Sequence, residues 1–322
     1  MNDLVRLISK SLEPFGYHVR PRNGLNFLRI PNLEKEPNVN ATRKTMNKIA
    51  LQTPEANLGR LIIYLRTCMR DKRNIDTRPR LTSADLTEHS LRCILSLIRS
   101  INHATKAIPD VKIELCVLDD HSDSIPLQNL KTLLKQLRMP FTVETTQTTG
   151  QGASLYEQFS KARDQDAITY FCEDDYLHEE NGIATLIIFY HQMAKISGNL
   201  PVLYPQEHNT LYSHHYPSYI VQGEDRHWRS VRHATHTFMT HGKIVEKYWS
   251  YFENTKFVGN RKKRKLGSEA RTTNKLFKHV PGFSPLTPCA VHLQFEELLP
   301  PFYDWRPLWE RNALPEKDEL AA

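Results

Sequence analysis

Three carboxylates, Glu173, Asp174 and Asp175, stand directly behind the apolar run Ala167, Ile168, Tyr170, Phe171 and Cys172. Such a run has the composition of a buried strand, and strands ordinarily end in Gly, Asn or Ser rather than in concentrated negative charge. A second acidic group, Asp119, Asp120 and Asp123, follows the run VKIELCVL (111–118). Closely spaced carboxylates make a hard-oxygen site for Mg²⁺ or Mn²⁺, which bind through few protein ligands and share their other positions with substrate phosphates. The guest that suits such a site is a metal-bridged diphosphate. Its metal would neutralise the charge that builds on a departing nucleoside diphosphate.

The elements that must hold these residues begin at Leu58. GRLIIYLRTC (59–68) reads as a strand, and DLTEHSLRCILSLIRSIN (85–102) as a helix with Leu91, Ile94, Leu95, Ile98 and Ile101 on one face. VKIELCVL is a second strand, PLQNLKTLLKQL (126–137) a helix, FTVETT (141–146) a strand, ASLYEQFSKAR (153–163) a helix and AITYFC (167–172) a strand. This alternation predicts an α/β fold, a mainly parallel doubly wound sheet flanked by helices, with ligands at the carboxyl ends of the strands. Both acidic groups and the turn TTGQGAS (148–154) fall on that edge. Singly, each has an ordinary reading: a helix cap at Asp119 or Asp120, a turn at Gly150 and Gly152, a solvated acidic loop. Their occurrence together is what points to a site.

The bulk properties are compatible with this picture. The chain has 322 residues, 39% of them hydrophobic, enough for a sizeable core, and a formal charge of +7 that suggests an anionic partner. No run approaches the roughly 18 to 20 apolar residues of a membrane span. The amino-terminal stretch carries polar and acidic residues where a signal peptide would be apolar, so a cytoplasmic location is expected. Five widely spaced cysteines without a C-x-x-C pair are expected to be reduced. The basic run NRKKRKLG (260–267) reads as a surface loop, as a loop closing over a diphosphate or meeting an anionic acceptor, or as a peripheral membrane contact. No helix-turn-helix, finger or aromatic RNA-binding signature accompanies it, so no nucleic-acid partner is expected.

Several of these segments carry a resemblance. IELCVLDDHSDS resembles the VVDDGSxD segment of the GT-A fold glycosyltransferases, most closely the family-2 type. TTGQGASLYEQFSKARD is similar to their NxGxxxARNxGxxxA segment, YFCEDDYLH to the strand ending in D-x-D, and IIYLRTCMR to IPTYNR. The motifs follow in order over about residues 59–180, with Glu173 in place of the first Asp of D-x-D and His121 in place of the usual Gly. The resemblance implies a GT-A domain over 58–322 behind an amino-terminal extension, 1–57. Within it, 58–180 would be the nucleotide-sugar-binding half and 181–322 the acceptor-side half. The implied activity is metal-dependent transfer, with inversion, of a sugar from a UDP- or GDP-sugar to a glycan, lipid-linked or other hydroxyl acceptor.

Carried onto this chain, the resemblance implies that Arg66 and Thr67 line the base and ribose pocket and that Asp119 or Asp120 hydrogen-bonds the base or ribose. Gly152 would belong to the donor segment. Glu173 and Asp175 would hold ribose and metal, with Asp174 off that face or toward the sugar. His292, in TPCAVHLQ, would be the carboxyl-terminal metal ligand, and Glu269, in LGSEARTTNKLF, the catalytic base ahead of a helical pattern. In GEDRHW (223–228), Glu224 or Asp225 is a rival base. Aromatic faces stack on sugars, so Trp228, Tyr248 and Trp249 are acceptor-site candidates, with core packing as their other reading. Zinc held by His233, His236 and His241 is not expected, because no cysteine set or familiar spacing supports it. Two other classes compete. A nucleotidyltransferase lacks its Gly-rich loop in RTCMRDKR, and a non-catalytic carbohydrate- or nucleic-acid-binding scaffold would not need Glu173, Asp175 and His292 together.

Overall fold

A computed structural model describes residues 7–8, 10–16, 40–41, 55–70, 81–213, 216–256 and 268–314. Most of the expected amino-terminal extension and the basic run 260–267 lie outside them. After a 3-10 turn at Glu13–Phe15, the described elements run β1 (Arg60–Thr67), α1 (Leu86–Ala107), β2 (Lys112–Asp119), α2 (Ser124–Leu134), β3 (Phe141–Thr145), α3 (Gln151–Arg163) and β4 (Ile168–Glu173). It continues with β5 (Tyr176–His178), α4 (Gly182–Ser197), β6 (Val202–Leu203), β7 (Ile220–Gln222), β8 (His227–Val231), β9 (Phe238–His241), α5 (Gly242–Lys247) and α6 (Trp249–Glu253). Two 3-10 turns, Glu269–Arg271 and Thr273–Lys278, lead to β10 (Gly282–Pro285), β11 (Ala290–His292) and α7 (Arg306–Arg311).

The fold is α/β, built on a mixed nine-stranded sheet in the order β3-β2-β1-β4-β9-β6-β10-β8-β7. Its first four strands are parallel, and β9 joins β4 antiparallel, so the two halves expected from the sequence share one sheet. β1 is apolar on both faces because both are covered. Leu61, Ile63 and Leu65 pack with Ile94, Leu95 and Ile98 of α1, while Ile62 and Tyr64 pack with Leu155 and Phe159 of α3. Asp85 caps α1 by accepting from the Glu88 N–H at 2.7 Å. α1 runs five residues beyond the expected end, its buried face extended by Ala104. A close approach fixes the start of α5: a Cβ on Gly242 would lie 1.9 Å from the Gln165 carbonyl oxygen.

Two features of this topology position the site. The register pairs Thr67 with Asp119 and Arg66 with Glu173, placing the exits of β1, β2 and β4 side by side. After the turn at Asp174 and Asp175, β5 pairs antiparallel with β11, setting Tyr176 opposite His292. Among the described residues, no helix is long and apolar enough to cross a membrane, and no disulfide joins the five cysteines.

Candidate functional site

At the β1 exit, Arg66 forms an ion pair with Glu173 and donates from Nη1 to Ser154 Oγ of α3 at 3.2 Å. Glu173 is held on its other side by its own N–H, which donates to Thr237 Oγ1 at 3.1 Å. Burial lifts the Glu173 carboxyl above its ordinary value, against the pull of Arg66. Asp174 turns back toward β1, where its Oδ2 accepts from the Cys68 N–H at 3.1 Å. Asp175 goes the opposite way, with Oδ2 3.2 Å from His292 Nε2. Burial works to raise Asp175, but the charge and hydrogen bond of His292, with help from His89 and Arg66, hold it at about 2. The same pair acts in reverse on His292, where burial lowers the imidazole and Asp175 more than restores it. His292 is fixed by a stack on Tyr176, with ring centroids 4.5 Å apart, and by its N–H donating to Gln206 Oε1 at 2.7 Å.

The second acidic group plays another part. Asp119, 1% exposed, accepts from Thr67 Oγ1 at 2.8 Å and from the Ser122 N–H at 2.9 Å, tying the exits of β1 and β2 together. Asp120 accepts from the Gly150 N–H at 2.9 Å and from Arg70 Nη2 at 2.9 Å. Gly150 has a φ of 112° at the amino end of α3, a conformation that glycine adopts without strain. His121 has a φ of 56°, in the left-handed region, at the position where the resembled motif carries glycine. Of the residues expected at the base and ribose, Thr67 and Asp119 bond to each other, and Asp120 bonds to the Gly150 N–H and the Arg70 side chain. Gly152 is buried in the first turn of α3.

Glu269 reaches the same neighbourhood from the carboxyl-terminal half. Its Oε1 lies 3.4 Å from Nδ1 of the buried His236. The segment after Glu269 forms 3-10 turns rather than the expected helix, broken at Thr272, whose φ and ψ of −123° and −105° no helix accommodates. Burial lowers His236 to about 4, against the opposing field of Glu173, so its ring is neutral.

Four buried polar atoms in this group lack a hydrogen-bond partner: Arg66 Nε, Asp175 Oδ1, His236 Nε2 and His292 Nδ1. The residues sense one another, since Arg66, Asp175, His236 and His292 all act on the charge of Glu173. Leaving a buried polar atom unsatisfied costs about 1–3 kcal/mol. Such atoms are ordinarily answered by protein, water or a ligand, and these four lie on residues that act on one another's charge.

A divalent cation fits part of this set. Adjacent ligands on a cation with bonds of about 2.1 Å lie about 3 Å apart, close to the 3.2 Å between Asp175 Oδ2 and His292 Nε2. Among the described residues no group of three His, Cys, Asp or Glu side chains is placed to hold a metal ion. Glu173, expected as a further metal ligand, is ion-paired with Arg66. Asp175 Oδ2 and His292 Nε2 therefore stand at a spacing that two ligands of one cation would take.

Other expected site residues fall elsewhere. Trp228 is fully buried, its ring parallel to Phe189 with centroids 3.9 Å apart, and is a core residue that offers no face to an acceptor. Trp249 packs on the flank of α3 against Tyr156 and Arg163, and Tyr248 stacks with Tyr251 and His279. Asp225 is not with the cluster: it accepts from Thr185 Oγ1 at 2.8 Å and pairs with Arg226. His241 lies at the opposite end of β9, against the Asn57 carbonyl and Asp166, and His233 meets His208, so the three histidines do not converge. Sequence reasoning missed Ser154, Thr237 and Gln206 as supports, and noticed His236 only as a zinc ligand. No local pattern distinguishes them, because each acts on a residue far away in the chain.

No family model matches the chain, and no curated protein matches it. Solved structures do show similarity. S. aureus TarS is 14% identical with a TM-score of 0.36, over 59% of this chain and 29% of that one. TarS 1–349 in complex with UDP-GlcNAc is 13% identical with a TM-score of 0.36, over 58% and 47%. UDP-glucose pyrophosphorylase from Acinetobacter baumanii is 8% identical with a TM-score of 0.42, over 78% and 91%. The chain spans less than a third of that TarS chain.

Proposed function

We propose that this chain is a metal-dependent glycosyltransferase that moves a sugar, with inversion, from a UDP- or GDP-sugar to a glycan or other hydroxyl acceptor. The observation that carries the reading is the set of unpartnered buried polar atoms around Glu173, Asp175 and His292 at the carboxyl edge of the parallel strands. A metal-bound nucleoside diphosphate would answer part of this set, its oxygens accepting from Arg66 Nε and its cation meeting Asp175, and would leave His236 Nε2 for another group of the donor. Asp175 and His292 would hold Mn²⁺ or Mg²⁺, which when bound stabilises charge on the leaving diphosphate. Arg66 presents Nε to the site while its other nitrogens are spent on Glu173 and Ser154, so its cation stays in one orientation beside the donor. Glu269 would take the proton of the acceptor hydroxyl: with Asp175 given to the cation and Glu173 paired with Arg66, it is a carboxylate at the cluster whose partner among the described ion pairs is a neutral histidine.

Calorimetry with UDP and GDP, with Mn²⁺ and in excess EDTA, tests the donor and metal roles. Binding should require the cation, and Asp175→Asn should abolish it while the fold persists. Equal affinity in EDTA would remove the metal from the reading. Glu269→Gln should lower turnover by roughly a hundredfold or more with donor binding intact. Binding without any turnover, across sugar donors and acceptors, would favour a non-catalytic scaffold.

A further inference from the structure

His236 lies beside Glu269, within the field of Glu173, and carries a polar atom that the protein leaves unanswered. It is 4% exposed, on the segment between β8 and β9, with Phe159 beside its ring. Nδ1 faces Glu269 Oε1 at 3.4 Å, while Nε2 is buried and has no partner. A neutral imidazole has one N–H donor and one lone-pair acceptor, and an ionised carboxylate only accepts. The neighbouring Glu269 therefore places the proton on Nδ1 and leaves Nε2 as an acceptor.

An acceptor in this position selects its guest. Phosphate oxygens only accept, so Nε2 would repel them, and a metal-bound diphosphate belongs with Asp175 and His292. The neutral donors of a nucleotide-sugar are the hydroxyls of its sugar and ribose and the N–H groups of its base, and the contact of Nδ1 with Glu269, the proposed base at the acceptor hydroxyl, sets His236 on the side of the transferred sugar. We propose that His236 is a specificity-determining residue whose Nε2 accepts a hydrogen bond from a hydroxyl of the transferred sugar, while Nδ1–H orients Glu269. The proposal rests on the glycosyl-transfer reading. It adds that a donor lacking one particular sugar hydroxyl is discriminated against, because a buried acceptor that loses its donor is left unsatisfied.

The test uses two variants that separate the two nitrogens. His236→Asn keeps a donor near the Nδ1 position and loses the Nε2 acceptor; His236→Gln keeps an amide oxygen near Nε2 and loses the hold on Glu269. kcat/KM is measured for the accepted nucleotide-sugar and for its deoxy analogues, one hydroxyl removed at a time. Wild type should prefer the parent sugar over one analogue by roughly tenfold to a hundredfold. His236→Asn should lose that preference through a raised KM for the parent sugar. His236→Gln should keep part of the preference while kcat falls.

Full hydroxyl discrimination in His236→Asn would overturn the proposal and leave the transferase reading standing. If the Asn variant does not fold, loss of discrimination in His236→Gln overturns it instead. A wild-type protein that binds no nucleotide-sugar would sink both readings, and the donor calorimetry above reveals that outcome independently of these variants.

Discussion

Lowering the pH from 7 to 5 should weaken the fold, and His178 sets the scale of the effect. Its ring is enclosed, with Nε2 3.0 Å from Tyr170 Oη, Nδ1 3.0 Å from the Tyr176 carbonyl, and the Cys172 thiol nearby. Burial lowers it to about 4, only partly opposed by the Tyr176 carbonyl. In the unfolded chain a histidine titrates near about 6.5. Between those two values the unfolded chain takes up a proton that the folded chain refuses, so stability is lost as the pH falls. By linkage, a folded value of about 4 against about 6.5 makes the loss from this residue about 2 kcal/mol on going from pH 7 to 5. His236, also lowered to about 4, acts in the same direction, as do His191 and His241. His292 acts in the opposite direction: its raised value gives stability that is present in acid and lost as the pH rises. Urea unfolding of wild type and His178→Gln at pH 7, 6 and 5 isolates the one residue. The variant should lose about 2 kcal/mol less than wild type over this range. Parallel pH dependences for the two proteins would refute the argument that burial keeps His178 neutral.

Other outcomes follow from the packing. Trp228→Ala should cost about 3–5 kcal/mol of stability in urea unfolding; a stable variant with a raised acceptor KM would return Trp228 to the acceptor site. Asp119→Ala should destabilise by at least about 2 kcal/mol, since Thr67 Oγ1 and the Ser122 N–H both lose their acceptor. Lost UDP affinity at unchanged melting temperature would instead give Asp119 a role in nucleotide binding. Gly242→Ala should destabilise by about 1–3 kcal/mol or more, because the obstructing atom is a backbone carbonyl that cannot swing aside; thermal unfolding reads the loss.

The parallel half of the fold was legible in the sequence because its strands are covered on both faces. That burial demands continuous apolar runs, and the expected strands 59–68, 111–118, 141–146 and 167–172 each agree with the observed β1 to β4 to within one residue. The carboxyl-edge rule then located the acidic groups correctly, since it depends on strand direction alone. The antiparallel half was less legible. β8 and β9 are short, and whether an aromatic residue on them meets solvent or core depends on which face is packed, as Trp228 against Phe189 shows.

The sequence by itself determined which residue types stand at the ends of the strands. Only the tertiary structure decided which of those carboxylates remain open to a ligand. A carboxylate's availability depends on the donors that surround it, and those donors come from distant segments. Register brings Arg66 onto Glu173 and Thr67 onto Asp119, and the pairing of β5 with β11 carries His292 across 117 residues to Asp175. Because a hydrogen bond acts over about 3 Å, these assignments are set by contact in space and not by any spacing along the chain.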